Sequence, residues 1–362
     1  MAEPLTDESI AGARAAFRTL EQVERAARRR MPAPVWDFLA GGSGAEDTLR
    51  DNTAAFDRWR FRPRALSGMR SVGMSSELFG KSMAAPLLVA PFAPDGLFHQ
   101  DGFKAVAAAC EAAGLAAVAP SSCSFPMEEV RSAGESARFF QLPPTEPDVM
   151  RWLIERAEKA GYEALFVTVD QPVIGWRERV RAGDFTFDQS LTGANFAVPG
   201  GPGRAPVLGS GSRWLDWTWE TLSSLLSRSS LPFVVKGVLT AEDARAAVRF
   251  GAAGVVVSNH GGRQLHSVPA TLRQLPEVVE AIGGSVPVLL DSGLRRGSDV
   301  VKALALGADA VLIGRAAAHG LAAGGASGLL RTLELFMEEM TTVLALLGRN
   351  PPQLTPEVLQ PS

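Results

Sequence analysis

The sequence has few of the residues that build disulfide frameworks or metal centres. Only two cysteines, Cys110 and Cys123, occur in 362 residues. So few cysteines favour reduced thiols in a cytosolic protein over a disulfide scaffold. The four histidines show no metal-ligand spacing with the cysteines. We therefore expect no structural disulfide, no metal site and a cytoplasmic location.

Charge of one sign and long apolar runs are also missing. The 36 basic and 39 acidic residues leave a net charge of -3, so nothing indicates a surface for nucleic acid or for an anionic membrane. No apolar run is long enough to cross a membrane, and the first residues, MAEPLTDESIAGARAAF, lack the apolar core of a signal peptide. We therefore expect a globular protein that binds neither nucleic acid nor membrane.

Eight short apolar runs alternate with alanine-rich stretches from residue 86 onward. The runs are continuously apolar, which is typical of parallel strands with both faces covered. Eight strand–helix units over about 250 residues predict an α/β fold, a (β/α)8 TIM barrel, whereas an open doubly wound sheet would have fewer strands. The predicted strands cover residues 86–90, 115–119, 138–142, 165–169, 232–235, 254–257, 288–290 and 310–313.

Helical patterns fill most of the remaining chain. An N-terminal helical cap over residues 1–85 is expected to precede a barrel over residues 86–350, all within one domain of 362 residues. Glycines stand where helix C-caps are expected, at Gly114, Gly161, Gly251 and Gly307. The predicted helices cover residues 6–20, 21–30, 34–40 and 45–56 in the cap, and 102–113, 147–160, 241–250, 272–282 and 297–306 in the barrel.

One connection is too long for an ordinary loop. Residues 178–216, after the fourth barrel strand, include the Gly- and Pro-rich stretch FAVPGGPGRAPVLGSGSRW. Long connections without obvious secondary structure are usually functional. We expect this segment to be a mobile loop or one that covers the active site.

Polar residues follow the apolar runs at the rim where a barrel carries its catalytic groups. Asp170 and Arg177 follow the fourth strand, Lys236 ends the fifth, and His260 and Arg263 follow the sixth within SNHGGRQ. An imidazole can act as a base near neutral pH, and a guanidinium can grip a carboxylate with two hydrogen bonds. A neighbouring carboxylate can orient the imidazole, and a lysine can stabilise a cofactor that becomes anionic.

The last two strands end in motifs suited to a phosphate. DSGLRRG leads from the seventh strand into a helix, and Gly314-Arg315 follows the eighth. Glycines let backbone N–H groups approach an anion, and a helix N-terminus adds a favourable field. No Gly-x-Gly-x-x-Gly follows an early strand, and no Walker-type lysine motif occurs. A base, a carboxylate anchor and a cation around a phosphate-tailed cofactor indicate oxidation next to a carboxylate.

These motifs together resemble one family. SNHGGRQL, VVKGVLTAEDA, LLDSGLRRGSDVVKALALGADAVLIGR and FLAGGSGAED are similar to the corresponding stretches of the FMN-dependent 2-hydroxy-acid oxidases and dehydrogenases. That group includes glycolate oxidase, lactate oxidase, mandelate dehydrogenase and 4-hydroxymandelate oxidase. The resemblance covers residues 20 to 350 and implies FMN, a small carboxylate substrate and a homotetramer. It leaves the electron acceptor open between oxygen and a carrier.

The resemblance also implies roles for the rim residues. His260 would take the proton of the substrate's α-hydroxyl while hydride passes to flavin N5; removal of the α-proton by His260 is the alternative route. Asp170 would support the protonated His260, Lys236 would stabilise the reduced flavin, and Arg263 with Arg177 would hold the carboxylate. The cofactor would lie against Phe92, Ala93, Ser121, Gln141, Thr168, Ser258, Asp291, Ser292, Gly293, Arg295, Gly314 and Arg315.

The sequence departs from this family at the substrate positions. Family members usually carry two active-site tyrosines, and here Phe38 and Pro143 stand in their places. The chain has one tyrosine in all, Tyr162, which lies between a helix end and the fourth strand and cannot substitute for either. Cys123 stands where a bulky aromatic is common, which would widen the pocket. We therefore expect a larger substrate, aromatic or tethered, rather than glycolate.

Three functions are compatible with these residues. The leading one is FMN-dependent oxidation of a 2-hydroxy acid to the 2-oxo acid. The second keeps FMN but oxidises an amine or a carrier-bound biosynthetic intermediate, because the tyrosine hydroxyls are missing. The third is a flavin-binding protein without turnover, although such a protein would need neither the base nor the two arginines.

Overall fold

The cap begins with four short helices whose ends follow from local capping. The computed structural model describes residues 5–134, 138–143, 145–183, 185–203 and 217–362. Thr6 and Thr19 each accept a hydrogen bond at a helix N-terminus, so the predicted helix 6–20 stops at residue 16 and a second helix starts at residue 20. The cap helices are α1 (Asp7–Ala16), α2 (Leu20–Arg30), α3 (Ala33–Ala40) and α4 (Asp47–Asp57).

Three short strands lead from the cap into the barrel: β1 (Trp59–Phe61), β2 (Ser76–Leu78) and β3 (Lys81–Met83). Strands β2 and β3 form an antiparallel hairpin with Phe79 at its turn. The Phe79 ring meets the rings of Phe139 and Phe166 edge-on, with centroids 5.7 and 6.3 Å apart. The hairpin therefore closes the end of the barrel opposite the site described below.

The predicted barrel is confirmed: eight parallel strands pair in a closed ring. Closure rules out the open doubly wound sheet. The strands coincide with the predicted apolar runs to within a few residues, and nearly all their side chains are buried. They are β4 (Leu87–Val89), β5 (Ala116–Pro120), β6 (Arg138–Leu142), β7 (Leu165–Thr168), β8 (Phe233–Val238), β9 (Gly254–Val257), β10 (Val288–Leu290) and β11 (Ala310–Ile313).

Helices cover the outside of this ring and return the chain to the start of the next strand, except for the short α8 and α9, which belong to the long connection after β7. Gly114, Gly161, Gly251 and Gly307 all have positive φ angles, as expected of residues that end helices. The helices up to β11 are α5 (Gly102–Ala113), α6 (Met127–Ser132), α7 (Pro147–Lys159), α8 (Glu178–Ala182), α9 (Ser190–Gly193), α10 (Trp219–Leu226), α11 (Ala241–Arg249), α12 (Thr271–Ile282) and α13 (Gly297–Ala305).

The segment after β7 is only partly loop. Helices α8 and α9 lie within the predicted 178–216 connection, and its residues 204–216 lie outside the described part of the chain. Asn195 anchors the described part, because its amide donates to the Ser121 carbonyl at 2.9 Å and accepts from the Met127 N–H at 2.7 Å. These bonds hold the segment over the C-terminal ends of the first barrel strands.

The C-terminal part of the chain ties the barrel to the cap. Helix α14 (Arg315–Leu347) is kinked at Gly324 and Gly325 and packs against α2. The last strand, β12 (Leu359–Pro361), pairs with β1 in antiparallel register. No helix among the described residues has the length and apolar character that a membrane crossing requires.

Candidate active site

A cavity of about 420 Å³ opens at the C-terminal ends of the barrel strands. Most of the residues predicted from the sequence line it; Asp170, Ser258 and Cys123 do not. Its lining also includes Ser122, Gln171, Ile174, Phe187, Gln189 and Thr192, none of which we had predicted. The predicted residues in the lining are Phe38, Phe92, Ala93, Ser121, Gln141, Pro143, Thr168, Arg177, Lys236, His260, Arg263, Asp291, Ser292, Gly293, Arg295, Gly314 and Arg315.

His260 stands at the turn after β9 with its backbone in the left-handed region, at φ 58°. Its Nδ1 lies 3.1 Å from Asp170 Oδ1, and its backbone N–H donates to Ser258 Oγ at 3.1 Å. Burial lowers the pKa of His260 more than the charge of Asp170 raises it. The imidazole is therefore neutral near pH 7. With Nδ1 held by the carboxylate, Nε2 is the nitrogen that can accept a proton from a ligand.

Asp170 lies behind His260 rather than in the cavity. Burial opposes its ionisation, but the charges of His260 and Lys236 and the hydrogen bond from His260 outweigh burial and keep its pKa below the usual value. Gly237, at φ 116°, has no Cβ, and a Cβ there would stand 2.7 Å from that of Asp170. Glycine at this position lets the carboxylate reach the imidazole.

Lys236 is almost fully buried at the end of β8. Its Nζ lies 2.8 Å from Asp291 Oδ2 and donates to Ser258 Oγ at 2.9 Å. Burial lowers the pKa of Lys236, but the charges of Asp291 and Asp170 raise it by more than burial lowers it. The net shift is upward, so the ammonium stays charged. A register irregularity between Lys236 and Val238 interrupts the β8–β9 pairing at this point. Ser258 does not line the cavity; its Oγ accepts hydrogen bonds from the Lys236 ammonium and from the His260 backbone N–H.

Two arginines line the same cavity as His260. Arg263 Nη1 donates to the carbonyls of Phe38 at 2.7 Å and Gly41 at 3.1 Å. Arg177 Nε donates to the Arg263 carbonyl at 3.2 Å, and its Nη2 donates to Gln264 Oε1 at 3.3 Å. Among the described residues, neither guanidinium is ion-paired to a carboxylate.

The electrostatics of these arginines favour an anionic ligand. Burial lowers the pKa of Arg177 to about 10. Burial and the neighbouring charges of Arg177 and Arg315 lower the pKa of Arg263 well below its usual value. Burying cations without a counter-charge is costly, and a bound carboxylate offsets that cost.

An aromatic wall completes this side of the cavity. Phe38 contacts Phe185 and Phe187, with ring centroids 5.6 and 6.0 Å apart. The Arg263 guanidinium carbon lies 5.1 Å from the Phe38 ring centroid. Pro143 lines the same cavity, so neither residue presents a hydroxyl to a ligand. The one tyrosine, Tyr162, is buried and donates to the Met127 carbonyl at 2.9 Å.

The prediction for Cys123 was wrong. Its side chain is buried away from the cavity, and its thiol lies 3.4 Å from Asp95 Oδ2. Asp95, itself fully buried, also accepts from the backbone N–H groups of Phe103 at 2.7 Å and Ser124 at 2.8 Å. Burial raises the pKa of both side chains, and both residues belong to the packing beneath the rim rather than to the lining of the cavity.

The far end of the cavity is built for close backbone approach. Gly293 has φ 88°, and a Cβ there would lie 2.2 Å from the carbonyl oxygen of Asn52 in the cap. Asn52 and Asn259 exchange two side-chain hydrogen bonds of 2.8 Å, which fix the cap against the β9 turn. Arg315 donates from Nε and Nη2 to the carbonyls of Leu39 and Gly41 at 3.0 Å. Its pKa falls to about 9 through burial and the charge of nearby arginines.

Comparison with known proteins accounts for this arrangement. A family model described as FMN-dependent dehydrogenase matches residues 27–361. The chain belongs to the FMN-dependent dehydrogenase family. An L-lactate oxidase of Nostoc sp. is 40% identical over 91% of this chain and 94% of its own length, and the glycolate oxidase of Spinacia oleracea is 41% identical over 91% of each. A mandelate oxidase solved with (S)-2-phenylpropionate has 39% identity and a TM-score of 0.87, over 96% of this chain and 98% of its own.

FMN is therefore the cofactor, and the residues present fit it. Arg295 and Arg315 are buried cations at the closed end of the cavity, beside the glycine turn at Gly293 and the N-terminus of α14. This donor set suits a phosphate dianion. Lys236 stands nearer the middle of the cavity as a buried, fixed charge suited to an anionic ring system.

Several residues of the site were missed in the sequence. Gln264 and Asn259 lie within the SNHGGRQ motif, so their position was visible, but their roles depend on partners far along the chain. Gln264 Nε2 donates to the Val173 carbonyl at 2.8 Å and holds the β7 turn that carries Arg177. Phe187, Gln189 and Thr192 carry no motif that could have revealed them. Among the described residues, no group of three His, Cys, Asp or Glu side chains is arranged to hold a metal ion.

Proposed function

We propose that this protein oxidises a 2-hydroxy acid with a bulky or aromatic substituent to the corresponding 2-oxo acid. The observation that carries the proposal is the placement of a neutral imidazole, His260, in one cavity with two half-buried arginines that have no carboxylate partner within the described part of the chain. A base in the same cavity as a binding site for an anion suits a substrate that carries both a hydroxyl proton to be removed and a carboxylate to be bound. The lactate, glycolate and mandelate oxidases among its relatives support the same substrate class.

The proposed roles follow from the geometry. Arg177 and Arg263 bind the substrate carboxylate and so orient its α-carbon. His260 Nε2 takes the proton of the α-hydroxyl, and Asp170, 3.1 Å from Nδ1, stabilises the imidazolium that results. When bound, FMN supplies the acceptor for the hydride that leaves the α-carbon. The alternative order, in which Nε2 removes the α-proton first, uses the same base.

The cavity wall supports a substrate larger than glycolate. Phe38 and Phe187 present apolar rings, and Pro143 offers no hydrogen bond. A small hydroxy acid would leave this wall uncovered, whereas an aromatic ring would bury it at about 25 cal/mol per Å². Gln189 and Thr192 give the same side a few polar atoms for a ring substituent or a tether.

The remaining assignments are also proposals. We propose one domain over residues 1–362, a homotetramer, a cytoplasmic location, and oxygen or a carrier as the electron acceptor. Two buried cysteines that form no disulfide, Cys110 and Cys123, support a reducing compartment, and the exposed apolar side chains of Ile174, Trp176 and Leu265 support assembly. Molar mass by light scattering tests the oligomer, and hydrogen peroxide formation tests oxygen as the acceptor.

Anaerobic titration tests the proposed reaction. The purified flavoprotein is mixed with a panel of aliphatic and aromatic 2-hydroxy acids, matched 2-amino acids and amines, and the visible flavin absorbance is followed. We expect an aromatic 2-hydroxy acid to bleach the flavin and the matched 2-oxo acid to be recovered. Failure of every 2-hydroxy acid would overturn the proposal, and bleaching by an amine or 2-amino acid alone would support amine dehydrogenation instead.

A further inference from the structure

A second cavity, of about 410 Å³, adjoins the closed end of the first. Arg295 and Arg315 line both cavities, so the two cavities meet at these residues. The other lining residues come from the cap helices and from α14. They are Glu24, Ala40, Leu49, Arg50, Thr53, Ala54, Asp57 and His319.

His319 is the unusual residue in this cavity. Its side chain is more than nine-tenths buried, and its Nε2 has no hydrogen-bond partner among the residues that the structure describes. A buried polar atom without a partner is costly, so native structures seldom contain one unless a ligand, ion or water contacts it. The ring stacks on Trp36 with centroids 5.2 Å apart and planes inclined by 13°. Stacking accounts for the ring's position but leaves the nitrogen unexplained.

The charges around His319 indicate what that nitrogen would contact. Burial, together with the positive charges of Arg295 and Arg315, lowers the pKa of His319 to about 3. The imidazole is therefore neutral at pH 7 and can donate one N–H without adding a third positive charge. Glu24 and Asp57 also line the cavity, but the pKa of Arg295 is lowered by burial despite the charge of Glu24. An anion bound by Arg295 and Arg315 would offset the cost of burying these two charges.

Helix geometry places His319 on the same side as Arg315. The two residues are four apart near the start of α14, so their side chains lie on one face of the helix. The N-terminus of that helix, after Gly314, adds a field that favours a phosphate. We propose that His319 is a third phosphate-binding side chain, which donates from Nε2 to an oxygen of the FMN phosphate held by Arg295 and Arg315. The proposal depends on FMN as cofactor and not on the identity of the substrate.

Comparison of FMN with riboflavin tests this contact directly, because riboflavin lacks the phosphate. Apoprotein is titrated with each flavin, and binding is followed by quenching of flavin fluorescence. His319→Phe keeps a ring to stack on Trp36 but removes the donor, and we expect it to weaken FMN binding about ten- to a hundredfold while leaving riboflavin binding unchanged. His319→Gln places an amide N–H near the position of Nε2, and we expect it to recover part of the FMN affinity.

Controls separate the contact from general damage to the fold. The exposed His266→Phe should bind both flavins as the unaltered protein does. Undiminished FMN affinity in His319→Phe would overturn the proposal. Equal weakening of FMN and riboflavin would also overturn it, because His319 would then act through packing alone. If the unaltered protein bound riboflavin as tightly as FMN, no contact with the phosphate could be contributing to FMN affinity, and the proposal would likewise be overturned. Failure of the unaltered protein to oxidise any 2-hydroxy acid would count against the proposed function only, because the two flavin titrations do not depend on the substrate.

Discussion

The two walls of the active-site cavity are built in opposite ways. On the paired wall, polar groups are matched within the protein: the neutral His260 imidazole lies 3.1 Å from the Asp170 carboxylate, and Lys236 forms an ion pair with Asp291 at 2.8 Å. On the arginine wall, Arg177 and Arg263 contact carbonyls, an amide and an aromatic ring. The first wall is complete without a ligand. The second keeps buried positive charge that only an incoming anion can neutralise.

This difference assigns separate tasks to the two walls. Paired charges in a low-dielectric site are held in place and need little reorganisation when a proton moves. Unpaired guanidiniums instead gain most when the ligand binds, so they contribute to affinity and orientation. Substitutions on the first wall should therefore change the rate at which substrate reduces the flavin. Substitutions on the second should change the substrate concentration needed for half-saturation.

The largest effect is expected from removing the base. His260→Asn keeps a residue that tolerates the left-handed backbone at this position but loses the proton acceptor. We expect the anaerobic rate of flavin reduction at saturating substrate to fall about 10²–10⁴-fold, with little change in substrate affinity. Stopped-flow absorbance measures both quantities. Unaltered FMN content is the control, and a loss smaller than tenfold would remove His260 from the role of base.

Replacing an arginine should give the complementary result. Arg177→Met retains much of the buried stem but removes the charge, and we expect the apparent substrate dissociation constant to rise about ten- to a hundredfold, with a smaller effect on the limiting rate. Arg181→Met, on the exposed side of the same short helix α8, is the matched control and should change neither quantity. Equal losses in both variants would mean that Arg177 acts through folding of the segment rather than through the carboxylate.

The paired wall was largely predictable from the sequence, and the reason is physical. Its residues follow continuous apolar strands, and a parallel barrel brings the C-terminal ends of those strands to one rim. His260, Lys236, Asp170 and Asp291 therefore came together from strand position alone. The eight strands themselves were predictable because their apolar runs are short and unbroken.

The arginine wall and its supports were less predictable because they depend on contacts far apart in the chain. Arg263 is held by carbonyls at the end of α3, more than 200 residues earlier, and Cys123 turns to Asp95 rather than to the cavity. The pairing of β1 with β12 and the contribution of Phe187 likewise follow from tertiary placement. The position of a residue at a strand end predicts where its Cα lies on the rim, but not which side chains from other parts of the sequence it contacts.

Restoring a hydroxyl to the aromatic wall should sharpen the contrast between small and large substrates. Phe38→Tyr adds a donor beside Arg263, and we expect affinity for small 2-hydroxy acids such as glycolate or lactate to improve about threefold to tenfold. Affinity for an aromatic 2-hydroxy acid should stay the same or fall. Phe250→Tyr, in a ring stacked on Trp219 away from the cavity, is the control. An equal gain for both substrate sizes would show that the missing hydroxyl does not set the size preference.

The smallest effect concerns the turn that carries Arg295, where the paired wall meets the phosphate end. Asp299 Oδ2 accepts a hydrogen bond from the Arg295 N–H at 3.0 Å, and burial raises the pKa of Asp299 from its usual 3.8 to about 6. The folded protein therefore holds this proton more tightly than the unfolded chain does. The resulting stabilisation is complete below about pH 4 and is lost as the pH rises through 6.

Asp299→Asn keeps an oxygen that can accept the same hydrogen bond but has no charge to bury. The quantity measured is the Tm of the variant minus the Tm of the unaltered protein, obtained by calorimetry without added substrate. We expect this difference to be a few degrees larger at pH 8 than at pH 5. Asp309→Asn is the control, because the exposed Asp309 also accepts from a backbone N–H, that of Val288 at 2.8 Å, and its Tm difference should be the same at both pH values. If the Tm difference for Asp299→Asn were the same at both pH values, burial would not be raising the pKa of Asp299, and the turn would be tolerating the charged carboxylate.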